Sequence, residues 1–159
     1  MNISTTTLSN YIKYFCDVFV IAWISRYDLH WKKILEWEKK YYLNDLGFLN
    51  FLFSNFESYI SKKLENYIYN FLALSWYSLS VGKLWDLEID FIAEKQDRKI
   101  YIQVAYLLAD ESITLREYGN LRKINDSFEK YVISLDDVLF PVDKVWIKHL
   151  QAWNLDILK

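Results

Sequence analysis

The chain has 159 residues, 53% of them hydrophobic and 19% aromatic, which excludes a disordered chain and supplies material for a sizeable core. Lys and Arg number 19 against 21 Asp and Glu, a formal charge of −2, so bulk charge excludes a basic nucleic-acid-binding protein and leaves such a role to a local patch. Three glycines and one proline argue against long flexible linkers, the single Cys16 excludes an internal disulfide, and no signal-like or bilayer-length apolar run is present; the expectation is a cytoplasmic protein without membrane contact.

Periodicity predicts a helix over 5–19, with Leu8, Tyr11, Ile12, Phe15, Cys16 and Phe19 along one face and Thr5, Thr6 and Thr7 as candidate caps. Strands are expected over 20–27 and near 39–43, joined through a hairpin tip at Asp28-Leu29-His30-Trp31-Lys32-Lys33. A helix followed by a two-stranded hairpin is the second half of a winged helix. Helices follow over 48–56 and 61–75, the latter with Leu64, Ile68, Phe71, Leu72 and Ser75 inward and Glu65 at the edge of that face. A short strand over 77–81 ends at Gly82-Lys83. A helix over 113–125, capped by Asp110 or Ser112, turns Leu115, Tyr118, Leu121 and Ile124 inward, and strands are expected over 130–135 and 145–147 before a closing segment over 153–158. This order implies an α/β fold, a mixed central sheet flanked by helices.

The richest stretch lies between 87 and 106. Apolar residues alternate at Leu87, Ile89, Phe91 and Ala93, then at Ile100, Ile102, Val104 and Tyr106, with the polar Glu94-Lys95-Gln96-Asp97-Arg98 between. A hairpin folded about the Gln96–Asp97 bond sets Asp90 opposite Gln103 and Glu88 opposite Ala105, at roughly 5 Å between Cβ atoms. A carboxylate facing an oxygen donor suits a divalent cation. A solvated polar face is the ordinary alternative reading of such alternation.

Several motifs carry a resemblance. They are Glu38-Lys39-x-Tyr41-x-x-x-Asp45-x-Gly47, Leu64-Glu65-Asn66-x-x-Tyr69, Val81-Gly82-Lys83, Glu88-Ile89-Asp90-Phe91, Tyr101-Ile102-Gln103-Val104 and Arg116-Glu117. In this order they resemble the C-terminal domain of prokaryotic AAA-type ATPases known as domain of unknown function 4143. The resemblance implies a partial winged helix over residues 1–46 and a restriction-endonuclease-like PD-(D/E)xK domain over 47–159. It implies Glu65 as the helix carboxylate, Asp90 as the metal-binding aspartate and Gln103 at the (D/E) position. Ala105 stands where the catalytic lysine belongs. No G-x-x-x-x-G-K-[ST] segment occurs, so no P-loop is expected in this chain.

In an active nuclease of this type, carboxylates hold Mg²⁺ or Mn²⁺, and the metal supplies hydroxide from bound water. Glu65 and Asp90 offer carboxylate oxygens here, Gln103 a weaker neutral amide oxygen, and Ala105 nothing. Lys83 and Lys99 are the candidate substitutes for the lysine, with Lys99 roughly 13 Å along the strand from Gln103. Trp31, Lys32, Lys33 and Arg116 are candidate DNA contacts, Cys16 is a packing thiol, and His30 and His149 are isolated. The expectation is a degenerate nuclease-like domain that binds DNA or a partner without cleavage. The alternatives are an active Mg²⁺- or Mn²⁺-dependent endonuclease and a structural interaction module. The apolar face of the first helix calls for cover by an ATPase module or a second copy of the chain.

Overall fold

The computed structural model describes residues 4–52, 59–108, 111–141 and 146–159. Seven strands form one mixed sheet: β1 (Ile21–Asp28), β2 (Lys33–Leu43), β3 (Ser78–Leu84), β4 (Leu87–Lys95), β5 (Arg98–Val104), β6 (Glu129–Ser134) and β7 (Ile147–Gln151), in the spatial order β2-β1-β3-β4-β5-β6-β7. The hairpins β1–β2, β3–β4 and β4–β5 pair antiparallel, whereas β1–β3, β5–β6 and β6–β7 pair parallel. Helix α3 (Ile60–Leu74) covers one face through Leu64, Ile68, Tyr69 and Leu72, with Phe91, Ile102 and Tyr131 beneath it. Helix α4 (Glu111–Arg122) covers the other through Tyr118 and Leu121, against Ile89, Ile92, Tyr101 and Val132. This is the expected α/β class, a mixed sheet flanked by helices.

The β1–β2 hairpin, expected as a wing, joins this sheet through parallel pairing of β1 with β3. Ile24 and Tyr42 share the α3-side core, so residues 1–46 are not walled off from 47–159 by a core of their own. Helix α1 (Thr5–Asp17) is capped by Ser4, whose hydroxyl accepts the Thr7 N–H, rather than by a threonine. It buries no residue: Ile12 and Cys16 are half-buried, while Leu8, Tyr11, Phe15 and Phe19 are exposed. On α4, Leu115 is exposed and the buried Glu117 takes an inward position instead. Helix α2 (Gly47–Leu52) begins the helix expected over 48–56, whose remainder lies outside the described residues, as do the candidate cap Asp110 and Val145.

One irregularity shapes the site. The β3–β4 register slips between Ser80, opposite Ile92, and Gly82, opposite Ile89. Alternation along β4 therefore breaks, so Ile89 and Ile92 both enter the α4-side core while Phe91 and Ala93 enter the α3-side core. Gly82 makes this close approach possible, since a Cβ there would lie 2.8 Å from Ile89 Cβ. Asp90 sits in the slipped stretch, at the seam between the two faces.

Candidate functional site

The site forms where β4 leaves the β3–β4 turn. Pairing of β4 with β5 runs from Lys95 opposite Arg98 to Phe91 opposite Ile102. Continued one step, that register sets Asp90 opposite Gln103, but there the Asp90 carboxylate accepts the Val104 N–H at 2.8 Å. Asp90 and Gln103 line one shallow cavity of about 370 Å³ with Glu88, Arg116, Glu117 and Asn120. Glu65 lines a different cavity, on the α3 side, with Lys40, Tyr42 and Asn66.

The link is Lys40, which β2 turns inward together with Tyr42. Its Nζ lies 2.7 Å from Glu65 Oε1, 2.7 Å from Glu88 Oε1 and 3.9 Å from Asp90 Oδ1. Arg26 is a second cation on Glu88, Glu38 bridges Arg26 and Lys83, and Tyr42 donates to Glu65 at 2.7 Å. Burial alone would lower the Lys40 pKa, but Glu65, Glu88 and Asp90 outweigh it and raise it. Burial likewise opposes ionisation of Glu88, yet hydrogen bonds from Lys40 and Arg26 hold it below the usual carboxylate range. Asp90 is the odd group. Among the described residues, Glu38, Glu65, Glu88 and Asp90 form ion pairs with Arg26, Lys40 and Lys83, one cation fewer than the carboxylates. Burial first, and then the Glu65 charge, push the Asp90 carboxyl up to about 8, against the Val104 N–H and Lys40.

Resemblance to a nuclease would require Glu65, Asp90 and Gln103 to act as one ligand set for Mg²⁺ or Mn²⁺. The donor geometry does not fit that set. Gln103 Oε1 is buried without a hydrogen-bond partner among the described residues, so that atom is available to a cation or an N–H donor. Glu65, however, is held by Lys40 and Tyr42 away from the Gln103 cavity. Glu117, which does face it, is engaged by Arg116 at 2.6 Å. An ammonium group already sits among the carboxylates, and no catalytic step through a metal follows from these residues.

Position 105, where the resemblance expects a lysine, is closed. Ala105 is buried in the α4-side core and its N–H bonds the Ile133 carbonyl. The candidate substitutes are committed elsewhere: Lys83 to Glu38, and Lys99 to Glu94 at 2.9 Å. Lys40, which fills the role of internal cation, lies inside the strand expected near 39–43, but the motif Glu38-Lys39-x-Tyr41 passes over its position. The signal was Tyr42: once it points to the core, the strand period of two sends Lys40 to the same face. A wide bulge in β2 hides that period, since Ser25 pairs with Lys39 but Arg26 pairs with Leu35, leaving residues 36–38 looped out.

Other motif residues have local structural jobs. Asn66 clamps the edge strand by donating to the Leu43 carbonyl and accepting its N–H, and Tyr69 stacks on Tyr42 with ring centroids 4.2 Å apart. The buried Ser134 Oγ lies 2.8 Å from His149 Nε2, a pairing with a nucleophilic look. His149 Nδ1 accepts the Phe140 N–H, so Nε2 carries the proton, and the serine hydroxyl donates to Asp136. The imidazole therefore cannot take the serine proton, and the group is structural.

Trp31, Lys32 and Lys33 lie at the β1–β2 tip and Arg116 on the rim of the Gln103 cavity. Among the described residues, no helix is long and apolar enough to cross a membrane. No known family profile matches the chain, and no solved structure does. An uncharacterized protein of Haemophilus influenzae is 32% identical over 131 residues, which cover 82% of this chain. The matched stretch spans only 32% of that protein's length.

Proposed function

We propose that the chain is a catalytically silent, nuclease-like domain that binds nucleic acid without cutting it. The observation that carries this reading is Lys40 Nζ, at 2.7 Å from both Glu65 and Glu88. A fixed ammonium among the carboxylates competes with any divalent cation for the same oxygens, and the usual lysine position is the buried Ala105. Binding draws support from Lys32 and Lys33, which are exposed side by side at the β1–β2 tip of a weakly acidic chain. The greater length of the Haemophilus relative agrees with a domain that works attached to a larger protein, in this reading an AAA-type ATPase.

A second reading has one observation in its favour. Lys40 lies 3.9 Å from Asp90, where a lysine arriving from another strand would offset negative charge in a hydrolytic transition state. Supercoiled plasmid incubated with the chain and Mg²⁺ or Mn²⁺ separates the two. The expected result is retarded but unnicked plasmid. Nicking that is lost in both Asp90→Ala and Lys40→Ala would replace the silent domain by an active endonuclease.

A further inference from the structure

The β1–β2 tip and the β3–β4 turn meet beside the Asp90–Gln103 cavity and bring three aromatic rings together from distant parts of the chain. His30 lies with its ring centroid 4.0 Å from that of Trp85, tilted by 40°, and Trp31 meets His30 edge-on at 4.7 Å. Packing does not account for the indoles, because Trp31 remains 66% and Trp85 63% exposed. The tip is nevertheless held in place. Asp28 Oδ1 accepts the N–H groups of His30 and Trp31, and the Leu29 N–H bonds the Lys83 carbonyl. Leu29 and Leu84 anchor the two turns in the α4-side core. Exposed Lys32 and Lys33 follow the rings directly, and among the described residues neither has an ion-pair partner. Asp86, next to Trp85, lines the cavity, so the rings stand at its rim.

We propose that His30, Trp31 and Trp85 form a stacking platform for an unpaired base of single-stranded nucleic acid, with Lys32 and Lys33 taking the adjoining backbone phosphates. This rests on the nucleic-acid-binding reading above and adds the strand form and the residues that recognise it. Every base presents an aromatic face when unpaired, whereas a duplex hides those faces in its own stack. The paired lysines give the platform the charge that complements phosphate, which an apolar peptide or a neutral sugar does not require.

The test is fluorescence anisotropy of a labelled 15-nucleotide single strand and of its duplex, titrated with the full chain at low salt. The single strand is expected to bind more tightly than the duplex. Trp31→Ala and Trp85→Ala should each weaken single-strand binding by about fivefold to a hundredfold, the range for losing one stacked base. Trp85→Phe, which keeps a ring, should retain most of the affinity and guards against a folding defect in the alanine variant. Lys32→Gln with Lys33→Gln should lower the log–log salt slope by roughly 1.4. If the wild-type chain binds neither strand form, the platform falls together with the binding function. If it binds but the tryptophan variants match it, or the duplex binds equally well, the platform alone falls and nucleic-acid binding stands.

Discussion

Replacing Lys40 by Met tests the charge logic of the site directly. The substitution keeps the apolar stem and removes the ammonium that lies between Glu65, Glu88 and Asp90. Removing one partner of a buried ion pair costs about 3–5 kcal/mol, and removing an exposed one about 0–1 kcal/mol. Lys40 falls between, with its side chain 24% exposed against 18% for Glu65 and 13% for Asp90. Glu88 keeps Arg26, and Glu65 keeps the Tyr42 hydroxyl, so part of the loss is covered. The expected cost at pH 8 is about 2–3 kcal/mol, which lowers the unfolding midpoint by about 5–10 °C in a chain of this size. The pH dependence supplies the sharper check. Lys40 favours the charged form of Asp90, whose carboxyl already sits at about 8, so its removal pushes that value higher and the Asp90 share of the penalty is present above pH 8 and fades as pH falls below it. Urea denaturation of wild type and variant from pH 9 to pH 6 should show the gap narrowing, and Asp90→Asn added to Lys40→Met should close part of it at pH 9. A Lys40→Met chain as stable as wild type at pH 8, or a deficit that stays constant with pH, would refute the role assigned to Lys40.

Two further outcomes concern parts of the molecule outside the site. Phe19 and Trp76 each follow a helix in the left-handed conformation, at φ 57° and 66°, and are 80% and 86% exposed, so Phe19→Gly and Trp76→Gly should each raise stability by about 0.5–1 kcal/mol in thermal or urea unfolding; a loss of stability would mean that the exposed rings pack in solution. Burial lowers the His149 pKa below its ordinary 6.5 even though Asp136 opposes the shift, and its protonation breaks the acceptance of the Phe140 N–H. The unfolded chain therefore takes up the proton first, and stability drains as pH falls from 6.5 towards the lowered folded value, a trend that should flatten in His149→Gln; equal pH slopes in the two chains would contradict it.

How far such features can be read from sequence depends on how local their causes are. The β4–β5 hairpin was legible because apolar alternation and a polar turn determine a register between neighbours in sequence: Lys95 pairs with Arg98, as folding about the Gln96–Asp97 bond requires. The helix ends were less legible, since both α1 and α3 close with the Schellman hydrogen bonds, Val20 N–H to Phe15 and Tyr77 N–H to Leu72, around an aromatic residue where glycine is the usual signal. The face on which Glu65 lands was not legible. Simple alternation puts Asp90 and Gln103 on one face and leaves Glu65 free to join them. The slip at Gly82 instead moves Asp90 to the seam, and the Leu64-Glu65-Asn66 turn of α3 is drawn towards β2, where Asn66 clamps Leu43 and Glu65 meets Lys40. That arrangement depends on a strand more than twenty positions away whose own period is broken by a bulge. The same contact supplies the carboxylates with a counter-ion although position 105 is alanine: the cation comes from the edge of the sheet, and its ties to Glu65 and Glu88 make it a structural counter-ion first.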